Sequence, residues 1–182
     1  MRLANQAKDK WVNGAKWPYL EYTTNLVFTT GTRQYTLGTD VGHVVSIITS
    51  AGQPLEPVHR ATYDQVFHPD TATAVAPTAF AVRQFTTQAQ PTVHVWKTPA
   101  AIGTGTLHYI RRITDMTNAG SANGFDHIPS EHYAGIIEFA EAMFHEWEDS
   151  PQAPALNQKA NMTLAMMAQR CGAPLAIDAT RK

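Results

Sequence analysis

The hydrophobic period of the chain changes across residues 115–126, and that change sets the fold class. Between residues 22 and 114, apolar and polar residues alternate at every second position, as in half-buried strands. From Pro129 onward the apolar residues recur every three or four, as on one face of a helix. Residues 115–126, DMTNAGSANGFD, separate the two textures and have the Gly, Asn and Ser content of a connection. Strands gathered in one stretch and helices in another read as α+β. At 182 residues the chain is long enough to bury a core without disulfides.

Five parts are expected. Residues 1–21 form a helix and turn: Leu3, Ala7 and Trp11 fall four apart, and Pro18 closes the segment. Residues 22–114 form a β-rich domain of six or seven short strands, the count of a small sandwich or barrel. These lie at 22–30, 33–37, 43–49 and 55–60, followed by a helical turn at 61–65. A three-stranded meander at 78–85, 92–97 and 105–113 completes the set. Residues 115–128 are a linker. Residues 129–171 are a helical hairpin, begun by Pro129, broken at Pro151 and Pro154 and stopped by Gly172 and Pro174. Residues 172–182 are a tail without periodicity. Tyr133, Ile136, Ile137, Phe144 and Trp147 share an apolar stripe and are the expected helical core. Leu156, Ala160, Leu164, Met167 and Cys171 line the returning helix.

Composition removes several function classes. Charged residues make up 16% of the chain, against about 25% in average domains, and the formal net charge is -1. That is no generic nucleic-acid binder. It suits a chain that hides part of its surface against other subunits. The single Cys171 excludes a disulfide framework and any cysteine-rich zinc module. No apolar run is long enough to span a membrane, and residues 1–11 lack the apolar core of a secretory signal. The expectation is a soluble protein of a reducing compartment, or of a particle assembled there.

Catalytic patterns fail one by one. His145-Glu146 has Asp149 where a zinc-binding helix needs its second histidine. His94 and His108 could meet across a hairpin, but a solvated strand face is the ordinary place for such residues. Cys171, on the apolar side of its helix, reads as a small buried residue rather than a nucleophile. Gly103-Thr104-Gly105 lacks the following helix that a phosphate cradle needs. No catalytic residue, metal site or cofactor is expected. The distinctive feature is acidic: Glu138, Glu141, Glu146, Glu148 and Asp149 fall in a stretch without Lys or Arg. Such a face forgoes the opposite-charge pairs that usually support a helix. It fits a solvated surface, a basic partner, or a channel that must not grip phosphates.

Four strings, in this order, resemble the head-to-tail adaptor (head-completion or connector) proteins of tailed bacteriophages. The first is NQAKDKWVNGAKWPYLEYTT at 5–24, a short helix ending in a W-P-x-L-E-like turn. The second is FTTGTRQYTLGTDVGHVVSI at 28–47, a turn leading into a Val/Ile strand. The third is the pair PTVHVWKTPA at 91–100 and GTLHYIRRIT at 105–114, in which the family's P-x-P turn is Lys97-Thr98-Pro99-Ala100. The fourth is HIPSEHYAGIIEFAEAMFHEWEDSPQAPALNQKANMTLAMMAQR at 127–170, a helix start, acidic turn and returning helix.

The resemblance implies a helical bundle carrying a β-rich insertion, in a ring of usually twelve copies beneath the portal protein at the virion's head–tail junction. The ring would extend the channel through which double-stranded DNA passes without sequence-specific contact. It would also present a surface to the next neck or tail protein, a stopper or nozzle. Assembly is expected in the host cytoplasm, with no membrane partner and no enzyme activity. The tail, through Leu175, Ile177, Arg181 and Lys182, would dock on the portal or another partner. The five acids would line the channel or pair with a neighbouring subunit. The competing readings are another phage structural component (stopper, neck or tail-tube protein) and a metal-dependent hydrolase.

Overall fold

The computed structural model describes residues 2–67, 72–83, 90–115 and 125–175. The chain divides into two compact units, Met1–Leu20 together with Ile113–Lys182, and Glu21–Arg112. The second is inserted into the first.

The inserted unit contains nine strands among the described residues: β1 (Glu21–Phe28), β2 (Gln34–Thr36), β3 (Val41–Thr49), β4 (Glu56–Pro57), β5 (Thr73–Ala74), β6 (Ala79–Arg83), β7 (Thr92–Trp96), β8 (Thr98–Pro99) and β9 (Gly103–Arg111). One antiparallel sheet has the order β1-β9-β3, a second the order β2-β7-β6-β4, and β5 pairs with β8. Period-two alternation sends Leu26, Phe28, Val44, Ile47, Leu107 and Tyr109 of the first sheet inward. There they join Tyr35, Phe80, Val93 and Val95 of the second in one core. The buried phenols find partners: Tyr63 donates to the Val95 carbonyl at 2.9 Å, and Tyr109 donates to Asp40 Oδ2 at 2.9 Å.

Three expectations for this unit are corrected. The meander does not form. β6 and β7 pair, with Phe80 opposite Val95, but β9 leaves them and runs between β1 and β3, with Leu107 opposite both Thr24 and Ile47. The strand expected at 55–60 shrinks to β4, because Pro54 and Pro57 supply no ladder N–H. His94 and His108 fall in different sheets, and His94 is buried beside Tyr63 rather than on a solvated face.

The other unit consists of α1 (Arg2–Gly14), α2 (Tyr133–Trp147) and α3 (Ala153–Arg170). α2 packs against both α1 and α3. Its core is built from a few large rings and many small side chains. Trp11, Trp17 and Phe139 supply the bulk, and Ala7, Ala142, Ala160 and Ala168 let the helices close on them. The Trp11 and Trp17 rings stack at 5.2 Å, and Trp17 Nε1 donates to the Trp11 carbonyl at 2.9 Å. Gly135 is required by this contact, because a Cβ there would lie 2.2 Å from Cζ3 of Trp11.

Lys8 is fully buried on α1. Its Nζ donates to the Thr114 carbonyl at 2.8 Å and to Asp115 Oδ1 at 2.9 Å, with Asp9 Oδ1 at 3.4 Å. A buried ammonium is tolerated only when paired in this way. Ile128, at the end of the expected linker, is likewise buried. Past α3, Leu175 bridges Ala15, and Lys16 N donates to the Pro174 carbonyl at 2.9 Å.

Candidate functional site

The outer surface of the helical unit departs most from the expected picture. Of the five side chains assigned to the helical core, Ile136 alone is buried. Tyr133 is 36% exposed, Phe144 42%, Ile137 64% and Trp147 75%. The reason is geometric. α2 turns Gly135, Ile136, Phe139 and Ala142 toward its neighbours, and small residues there bring the helix axes close. The larger stripe at Tyr133, Ile137, Phe144 and Trp147, spaced by four, seven and three, is then left on the opposite face. Phe144 and Trp147 lie 6.2 Å apart and border an open groove of 780 Å³ with Arg2, Leu3, Gln6, Met143 and Glu146.

The acids do not act as one group. Glu138 is half-buried and pairs with Lys159 of α3 at 3.1 Å. Glu141 is exposed beside the apolar stripe, Glu146 joins the groove, and Glu148 and Asp149 are exposed in the turn after α2. Asp149 adopts φ 51°, the left-handed position that ends a helix, and Ser150 N donates to the His145 carbonyl at 2.9 Å. Of the tail residues, Leu175 is 47% exposed, while Ile177, Arg181 and Lys182 lie outside the described residues.

α3 has the opposite sign. Residues 153–171 contain Lys159 and Arg170 and no Asp or Glu. Met162 and Met166, 57% and 60% exposed, lie one turn apart between those two cations. Cys171 is half-buried, not a core residue, because it caps α3 as the chain turns away.

One polar cluster lies inside the unit. His132 is 1% exposed, with its ring edge-on to Trp11, Trp17 and Tyr19 and its Nε2 3.9 Å from Cys171 Sγ. Burial lowers its pKa, and Glu131 opposes this in part. Burial also pushes the Tyr19 hydroxyl far above the ordinary phenol value. In both groups burial favours the neutral form. Among the described residues, no three His, Cys, Asp or Glu side chains gather as a metal site. No described helix is long and apolar enough to cross a membrane.

A small-residue helical core with large apolar side chains left outside is what an assembly subunit presents. The sequence model of a family described as SU10 adaptor protein matches residues 1–180. The chain belongs to that family. No curated protein matches it. The resemblance to phage head–tail adaptors is thereby borne out, and the family supports a structural role at the head–tail junction.

The sequence missed which face of α2 is buried. The usable signal was the recurrence of small residues, Gly135 and Ala142 on α2 and Ala160 and Ala168 on α3, which marks the side of closest approach.

Proposed function

We propose that the adaptor assembles as a ring, of twelve copies by its resemblance to other adaptors, docked beneath the portal and continuing the DNA channel toward the next neck or tail component. The observation that carries this reading is the exposed stripe Tyr133, Ile137, Phe144 and Trp147. Contiguous apolar surface of this kind marks a site that a partner covers. In the same reading the β-rich domain (22–114) and the helical hairpin (129–171) are separate packing units joined through 115–128. The tail 172–182 reaches a partner, and Glu141, Glu148 and Asp149 face the channel or a neighbouring subunit. The low charged fraction supports wide inter-subunit surfaces. Acidic rather than basic exposure on α2 supports passage of DNA without phosphate binding.

An electron-microscopy reconstruction of the neck tests the reading. A ring of this chain should appear on the portal axis. Density for this chain elsewhere in the virion, or as single copies at the neck, overturns it.

A further inference from the structure

We infer that the ring is closed by the outer face of α2 in one copy packing on the outer face of α3 in the next. This inference rests on the ring reading and names its interface. The two faces are both apolar and both exposed. Tyr133, Ile137, Phe144 and Trp147 line the first, Met162 and Met166 the second. Both belong to one compact unit, in which α2 and α3 meet through other residues, Ala142, Ala160 and Ala168 among the buried ones. Neither face therefore covers the other within a chain.

Charge selects the pairing. The α2 face is flanked by exposed Glu141 and Glu148, and in its groove Arg2 of α1 is set against Glu146, so its balance is acidic; the α3 face is bounded by Lys159 and Arg170 and has no acid in its helix. Packing α2 on α2 across a two-fold axis would set carboxylate against carboxylate. Packing α3 on α3 would set cation against cation. Only the unlike pair is complementary, since like charges across an interface disfavour the wrong partner. An interface between two different patches propagates head to tail and closes when the rotation per copy permits, which is the geometry of a ring. Methionines opposite aromatic rings suit such a seam, because the thioether is polarisable and adapts to irregular surfaces. Lys159 already holds Glu138 within its own chain, so of the two cations on α3 it is Arg170 that has no ion pair among the described residues.

The experiment uses the full chain in assembled particles, in a Cys171→Ser background. Ile137→Cys and Met162→Cys are introduced together and singly, and a short bis-maleimide is added. The double variant should give a ladder of covalent oligomers ending at the ring size, and each single variant should stay monomeric. Dimers from Ile137→Cys alone would mean symmetric α2 pairing and overturn the inference. Rings visible by microscopy without a ladder would overturn the interface while leaving the ring reading intact. Absence of rings would remove both. As a second readout, Glu141→Lys and Arg170→Glu should each reduce ring-bearing particles about fivefold, and their combination should restore them to within about twofold. No recovery in the combination counts against the pairing.

Discussion

The two units bury their apolar residues by different rules. In the β unit almost every large inward residue is where alternation puts it, and the sheets meet through Phe28, Ile47, Phe80, Val95 and Leu107. In the helical unit the large residues divide. Trp11, Trp17 and Phe139 go in, while Ile137, Phe144 and Trp147 stay out, and glycine and alanine occupy the contacts between. A strand has two faces and therefore one choice. A helix has a full turn of faces, and when it is apolar nearly all round, the smallest residues decide which side closes. What remains outside is surplus to the subunit's own stability and available to a partner.

Substitutions at aromatic residues of the two kinds would break this contrast or sharpen it. Trp11→Ala should have the largest effect, destabilising the helical unit by about 3–5 kcal/mol because it empties the centre of a small core. Thermal unfolding unchanged by that substitution would contradict the packing described. In the β unit, Ile47→Ala should remove about 2–5 kcal/mol. If the units unfold independently, calorimetry should show each substitution lowering a different transition.

Next in size is Gly135→Ala, expected to cost about 1–3 kcal/mol through overpacking against Trp11. Gly135→Ala combined with a smaller ring at Trp11 should recover part of that loss. At the other extreme, Trp147→Ala should shift stability by no more than about 0.5 kcal/mol, since the ring is 75% exposed. Its effect should appear in assembly alone, as particles without attached tails. A loss of stability comparable to that of Trp11→Ala would place Trp147 in the subunit core after all.

The pH dependence is the subtlest test. His132 has a lowered folded-state pKa because burial disfavours its charged form. The unfolded chain takes up a proton near the ordinary imidazole value, about 6.5. Stability present above that value should therefore decline as pH falls through it toward the lower folded value. Denaturant midpoints measured across this range should flatten in His132→Phe. An unaltered slope would assign the acid sensitivity to other groups.

Much of the β unit is legible in the sequence because its signal is local. Leu26, Phe28 and Val44 alternate with exposed neighbours, and Ile47, past an intervening bulge, lies between half-buried ones. Strand partners are another matter. Nothing between residues 97 and 103 announces that β9 leaves β7 for a place between β1 and β3, because pairing across the sheet depends on distant residues. In the helical unit the existence of α2 and α3 follows from their spacing, but the phase of α2 does not. Tyr133, Ile137, Phe144 and Trp147 carry more apolar area than Gly135, Phe139 and Ala142, so a stripe judged by size points the wrong way. Burial of His132 and Lys8 was equally silent, since each depends on partners far along the chain, Trp11 and Thr114.

The pairing of β1 with β9 has a further consequence. Glu21 is opposite Ile110, so the β unit's first and last strands enter and leave side by side. A segment whose ends already touch behaves as a cassette. Excising it leaves a gap that a few glycines span, and little chain entropy is lost in bridging so short a distance. The same geometry lets a foreign domain with adjacent termini be spliced in at that point. Sequence change within residues 21–112 can thus proceed as long as the two ends of the insertion stay paired.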